Sequence, residues 1–208
     1  MTGDLAAALR DPRRRTQALT ELDGREEFVR PLLRRLGISA GINERFPCVL
    51  AGREGERATL WRDRRGFTVY QTPEIGTIAL GQLYASVVAG RVWLPKDSSL
   101  AVCKVRAILD IGLIDRPDLG VRFPEDPCHF AAPVARGLRE LMEVRSACGT
   151  LFEGFPLVPE FLRDWCPCTE SAALRGRRFL RETGVIVPLG RIPRTRATCW
   201  QHTELVTL

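Results

Sequence analysis

Lysine is nearly missing from this chain: arginine supplies all but two, Lys96 and Lys104, of its 31 basic residues. Such a bias follows the codon composition of a GC-rich genome before it follows any function. Histidine occurs only twice, at 129 and 202, and neither has an orienting group nearby in sequence, so a Cys–His nucleophile pair finds no support. No apolar run approaches the ~20 residues needed to span a bilayer, and the start MTGDLAAALR carries neither an apolar signal core nor a small-residue cleavage site. The expectation is a soluble cytoplasmic protein without a membrane partner. There is no GxxxxGK[ST] phosphate loop, no GxGxxG after a strand, and no paired aspartates of the kind that hold two metals in a polymerase. No residue can be nominated as catalytic, no cofactor is expected, and the chain reads as a binding protein rather than an enzyme. Internal repeats and low-complexity tracts are lacking too.

The seven cysteines are odd in number and follow no regular framework. Cys48, Cys103 and Cys148 stand among apolar or small neighbours, as reduced thiols acting as small hydrophobes do. Cys128-His129 and Cys166-x-Cys168, with Cys199 and His202, hint at a metal site, but Cys-x-Cys is a poor chelating spacing and Cys166 is claimed by a helix core beside Trp165. No metal ligand is assigned.

What the chain does have is enough apolar material for a core, 45% hydrophobic against 27% charged, and an uneven distribution of its net charge of +6. Between Phe161 and Trp200 the arginines at 163, 175, 177, 178, 181, 191, 194 and 196 face only Asp164, Glu170 and Glu182. A compact basic surface attracts polyanions by counterion release, which makes nucleic acid the first candidate partner.

Periodicity organises the rest. The stretch to Leu36 reads as helix, with Asp23-Gly-Arg-Glu26 at capping-box spacing, Phe28, Leu32, Leu33 and Leu36 on one stripe, and Gly37 as the stop. Pro31 is its weak point, and Arg13-Arg14-Arg15 after Pro12 suggests a solvated turn. From Ile42 to Gln71, the segments PCVL, ATLW and FTVY predict a small three-stranded sheet. Helices are predicted over Thr77–Gly90 and from Ser98 or Ser99 to Gly112, the second burying Leu100, Cys103, Ala107, Ile108 and Ile111. Asp115–Pro127 has linker composition, and an amphipathic helix follows from Pro133 to about Cys148 through Val134, Leu138, Leu141 and Val144 or Arg145.

The most informative segment is VPEFLRDWCPCTESAALRGRRFLRETGVIVPLGRIPRTRATCWQ. Phe161, Leu162, Trp165 and Cys166 predict a short helix, Pro167-Cys168 a corner, and Thr169 the N-cap of a second helix closed by Gly184. Val185–Leu189, a turn from Gly190, and Ala197–Gln201 predict a two-stranded wing. On the second helix Ala173, Gly176, Leu180 and Thr183 share an inner face; Ser171, Ala172, Arg175 and Arg178 lie opposite, where such a helix reads the major groove. Arg191, Arg194 and Arg196 would flank the duplex from the wing. Arg177 falls near the inner face and must snorkel or pair with an acid.

The segment WCPCTESAALRGRRFLRETGVI resembles the helix-turn-helix at the C-terminus of replication-associated proteins of actinobacterial plasmids and integrative elements. In those proteins it follows a primase-type Cys-His-Cys-Cys zinc finger. Here FPCVL-AGREGERATLW-RDRRGFTVYQ occupies the finger's position, and IALGQLYASVVAGR resembles the helix after it, so the resemblance spans about three quarters of the chain. It breaks at the ligands: Cys48 stands where the first would be, Arg53 lies where His is expected, and FTVYQ has no Cys. The resemblance therefore implies a degenerate finger held by Val49, Leu60, Trp61, Phe67, Val69 and Tyr70 instead of metal.

The combined expectation is an α+β, mostly helical chain: a helical segment over 1–40, a degenerate zinc-ribbon-like sheet with two helices over 41–114, a linker over 115–132, and a winged helix-turn-helix over 133–208. The expected role is a DNA-binding accessory protein for replication or maintenance of a mobile element. Its expected partner is duplex DNA, with a replication helicase or polymerase as a further candidate and the oligomeric state open. A transcriptional regulator with the same winged helix, and an adaptor that binds a helicase or polymerase but no DNA, remain as alternatives.

Overall fold

The computed structural model describes residues 2–123, 131–191 and 197–206. It is α+β, and the chain divides into two compact units, Met1–Arg116 and Pro117–Leu208. The boundary falls inside the expected linker, whose residues 117–123 go with the second unit.

The first unit opens with three helices where the sequence suggested one: α1 (Thr2–Arg10), α2 (Pro12–Glu21) and, after a 3-10 turn at Leu22–Gly24, α3 (Glu26–Arg35). The arginine cluster is not a turn. Asp11 caps α2, its carboxylate accepting from the Arg13 amide at 2.9 Å, and Pro12 takes the first helical position, where a missing N–H costs nothing. The expected capping box is also absent: Arg25 holds the N-cap position of α3 without a side-chain bond. Asp23 is instead buried in the 3-10 turn, accepting from Lys104 Nζ at 2.7 Å, while the same ammonium donates to Leu19 O at 2.8 Å. Pro31 sits within α3, and Gly37 beyond its end has the expected left-handed φ of 72°.

The sheet has four antiparallel strands rather than three, in the order β1 (Arg45–Pro47), β2 (Arg57–Arg62), β3 (Thr68–Thr72), β4 (Gly76–Ala79). The fourth comes from residues expected to begin a helix. Ile78 pairs with Tyr70 and is buried while Thr77 is exposed, an alternation that suits a strand, and α4 starts only at Leu80 (Leu80–Ala89). Strict alternation also corrects the expected sheet core. Phe46, Ala58, Leu60, Tyr70 and Ile78 share the buried face, and Trp61, Phe67 and Val69, one residue out of phase, are half-buried, as is Val49. Helix α5 spans Asp97–Asp110 with Lys96 at the N-cap; it buries Cys103, Ala107 and Ile108, whereas Leu100 and Ile111 are half-buried at its ends.

The second unit contains α6 (Ala132–Ala147), β5 (Phe155–Pro156), α7 (Pro159–Trp165), α8 (Glu170–Glu182), β6 (Ile186–Arg191), β7 (Thr198–His202) and α9 (Thr203–Val206). Val134, Leu138, Leu141 and Val144 of α6 are buried. Arg145 turns aside to donate to Glu153 O at 2.9 Å, its guanidinium 5.6 Å from the Phe155 ring centre. The indole of fully buried Trp165 donates to Gly137 O at 2.7 Å, and Gly137 leaves no room for more: a Cβ there would lie 2.3 Å from Cys166 Sγ. The hairpin β6–β7 belongs to a three-stranded sheet of order β5-β7-β6, in which Phe155 pairs with Trp200. Strand β6 runs past the turn expected at Gly190, through an irregularity between Pro188 and Gly190.

His202 closes this unit. Its Nε2 lies 3.0 Å from Arg122 O and its Nδ1 accepts from the Glu204 amide at 3.3 Å, so both ring nitrogens are used by the neutral Nε2–H tautomer. Burial depresses its pKa, opposed by the bond to Arg122 O.

Candidate nucleic-acid interface

Helices α7 and α8 meet at the Pro167-Cys168 corner, and their inner faces carry Leu162 and Trp165 on one side, Ala173, Gly176 and Leu180 on the other, all buried. Thr169 caps α8 as its sequence implied, its hydroxyl accepting from the Ala172 amide at 3.2 Å. Gly184 follows α8 with a φ of 73° and lets the chain turn directly into β6. Thr183, expected inside, is exposed; its hydroxyl bonds back to Phe179 O at 2.8 Å.

With the inner face spent on packing, the opposite face of α8 forms one wall of an open concavity of about 630 Å³. Ser171, Arg175 and Arg178, spaced at one helical face and exposed, line it. The same concavity takes in Leu174, Arg177 and Arg181 of α8 and Trp200 of β7. Ala172, also expected on this face, is half-buried and does not line it. Arg191 is exposed at the end of β6; Arg194 and Arg196 lie outside the described residues, as do Cys128 and His129.

Arg177 is the cation whose position the sequence left undecided. Among the described residues it pairs with no acid: Nη1 donates to Leu157 O at 2.6 Å, and the guanidinium carbon stands 5.7 Å from the centre of the Trp200 ring. Burial lowers its pKa, and the neighbouring charge of Arg181 lowers it further. An arginine nonetheless stays protonated at any ordinary pH, so the wall keeps its charge. Not every arginine of the basic segment contributes. Arg163 makes a two-pronged bond to the buried Asp164 carboxylate, both distances 2.9 Å, which holds its proton more firmly and cancels its charge locally.

No family model, curated protein or solved structure matches this chain. Four guanidinium groups, one hydroxyl and one leucine on a convex helix beside a hairpin offer many donors, against the Glu170 carboxylate in the lining and Glu182, 3.8 Å from Arg181. That set presents a net positive wall to solvent.

In the first unit, the position where a finger's ligands were considered carries other bonds. Tyr70 Oη donates to Cys48 Sγ at 3.2 Å, and burial and this sulfur push the phenol's pKa up. Arg53 bridges the β1–β2 loop to the β3–β4 turn, donating to Glu56 at 2.6 Å and to Glu74. Among the described residues, no group of three or more Cys, His, Asp and Glu side chains is placed to hold a metal ion. No helix among them is long and apolar enough to cross a membrane.

The sequence missed Leu174, Arg177, Arg181 and Trp200 as members of the concavity. Helical phase alone could have found Leu174 and Arg181. Trp200 lies on the strand expected as the second of the wing, but its place beside α8 depends also on the pairing of β7 with β5, which the sequence did not signal.

Proposed function

We propose that the second unit is a winged helix-turn-helix that binds duplex DNA, with α8 in the major groove and the β6–β7 hairpin as the wing. The observation that carries this reading is the convergence of Arg175, Arg177, Arg178 and Arg181 on one open concavity between α8 and β7. At thirteen residues α8 is about 20 Å long, and a helix of that kind fits the ~12 Å major groove, where arginine forks meet guanine or phosphate. The fixed pair Arg163–Asp164 lies on α7 and leaves α8 as the charged element. The process served is replication or maintenance of a mobile element, a reading that rests on the sequence resemblance; in it, the first unit is a degenerate finger in which the Arg53 bridge and the Tyr70–Cys48 bond stand in for metal. The chain acts by binding, not by catalysis.

Fluorescence anisotropy of the full chain with a labelled duplex over a salt series tests this. The expected result is binding whose log affinity falls linearly with log salt, with a slope reporting several phosphate contacts. Absence of salt-dependent binding would transfer the reading to the adaptor for a helicase or polymerase, and preference for an operator over an origin-like sequence would favour the regulator.

A further inference from the structure

An exposed leucine by itself says nothing, since apolar atoms make up much of any protein surface. The setting of Leu174 is what matters. It is 41% exposed and lies on the outward side of α8 within the concavity lined by Ser171, Arg175, Arg178 and Arg181. Burial in a protein core does not account for it, because the inner face of α8 is already filled by Ala173, Gly176 and Leu180. In the half of the helix that precedes Arg175 it is the one large apolar group facing outward, one helical turn after Ser171 and one before Arg178.

We infer that Leu174 is a specificity residue that packs against the 5-methyl group of thymine, so that the preferred duplex places thymine beside the guanine or phosphate met by Arg175 and Arg178. The inference rests on the DNA-binding reading and deepens it. In the major groove, thymine is marked by its methyl group, the one apolar feature among the hydrogen-bonding edges, and an aliphatic side chain is its complement. Arginines on either side bring the helix close to the duplex by charge. The leucine then gains only where a methyl group stands opposite, and elsewhere it desolvates donors and acceptors without replacing their bonds, which makes its contribution selective and not merely adhesive.

The test uses a chemical change in the DNA that leaves pairing intact. A duplex is recovered by the full-length chain from a randomised pool, and each thymine is then replaced in turn by deoxyuridine, which removes only the methyl. The expected result is that at least one replacement weakens binding about fourfold, the factor for one methyl-sized group removed from water, and that Leu174→Ala binds the thymine and uracil duplexes equally. The variant keeps a strong helix former at an exposed site, and circular dichroism checks that it is folded. Insensitivity of the natural protein to every replacement would overturn the inference, as would recovery of no preferred sequence, or a Leu174→Ala protein still sensitive at the same thymine. Failure to bind any duplex at any salt is a separate result, because it removes the DNA-binding reading itself.

Discussion

Substituting Gly137 by alanine should destabilise the second unit, against the intrinsic preference of a helix interior for alanine by roughly 1 kcal/mol. The reason is local. The added Cβ would stand 2.3 Å from Cys166 Sγ, 3.1 Å from Trp165 Cδ1 and 3.3 Å from Cys166 Cβ. Rotating the thiol relieves only the first contact, and the other two still require Trp165 or the α6–α7 spacing to give by a few tenths of an ångström. Overpacking of this kind costs about 1–3 kcal/mol. Separation also stretches the 2.7 Å bond from Trp165 Nε1 to Gly137 O, and a buried indole N–H left without its acceptor adds about 1–3 kcal/mol. Offset by the helix gain, the net loss is about 1–5 kcal/mol. Urea unfolding followed by tryptophan fluorescence measures it, and the double variant Gly137→Ala/Cys166→Ala tests the cause. Removing Sγ takes away the closest contact, so the two substitutions should be coupled by about 1–3 kcal/mol, the double variant being more stable than the sum of the singles predicts. A neutral or stabilising Gly137→Ala, or strictly additive effects, would refute the close packing of α6 on α7.

Other perturbations check other parts of the structure. Leu180→Ala, at a fully buried site between α8 and its neighbours, should cost about 2–5 kcal/mol in chemical denaturation, and a loss well under ~1 kcal/mol would mean that α7 and α8 do not pack as described. Lys104→Met leaves the Asp23 carboxylate buried without its cation and should destabilise the first unit by about 3–5 kcal/mol, whereas Asp23→Leu with Lys104→Met should recover most of it; a mild single effect would refute the buried pair. His202 has its pKa depressed on folding, so the unfolded chain takes up its proton first. Its contribution to stability is complete above the unfolded pKa of about 6.5 and is lost as pH falls through that value toward the folded pKa. Unfolding midpoints between acidic and neutral pH should show this slope, and His202→Gln should abolish it. On DNA, Arg175→Ala or Arg178→Ala should cost ~1–3 kcal/mol chiefly on a preferred duplex, while Arg191→Ala should weaken all duplexes alike and reduce the salt slope by roughly one; identical behaviour of the two groups in anisotropy titrations would remove the distinction between groove and wing.

The sequence by itself determined the features that depend on near neighbours. The Thr169 cap, the glycine stops at 37 and 184, the buried stripe Ala173–Gly176–Leu180 and the outward Arg175 and Arg178 all follow from helical phase and local hydrogen bonding, which operate within a turn or two of chain. Tertiary structure alone decided what a residue does once distant chain arrives. Asp23 had the spacing of a capping residue, yet Lys104, far along the chain, pairs with its carboxylate, because the fold buries the two side chains together and either charge left alone there would be costly. Residues 77–79 were expected to open the helix that runs to Gly90, but they became a strand because β3 offered an open edge to pair with. Arg177 found a carbonyl and an aromatic ring, not an acid, since Leu157 and Trp200 meet it only when β5, β7 and α8 come together. The concavity exists for the same reason: one wall is a helix face readable from its own period, and the other is a tryptophan on the wing strand, brought beside that face only when β5, β7 and α8 come together.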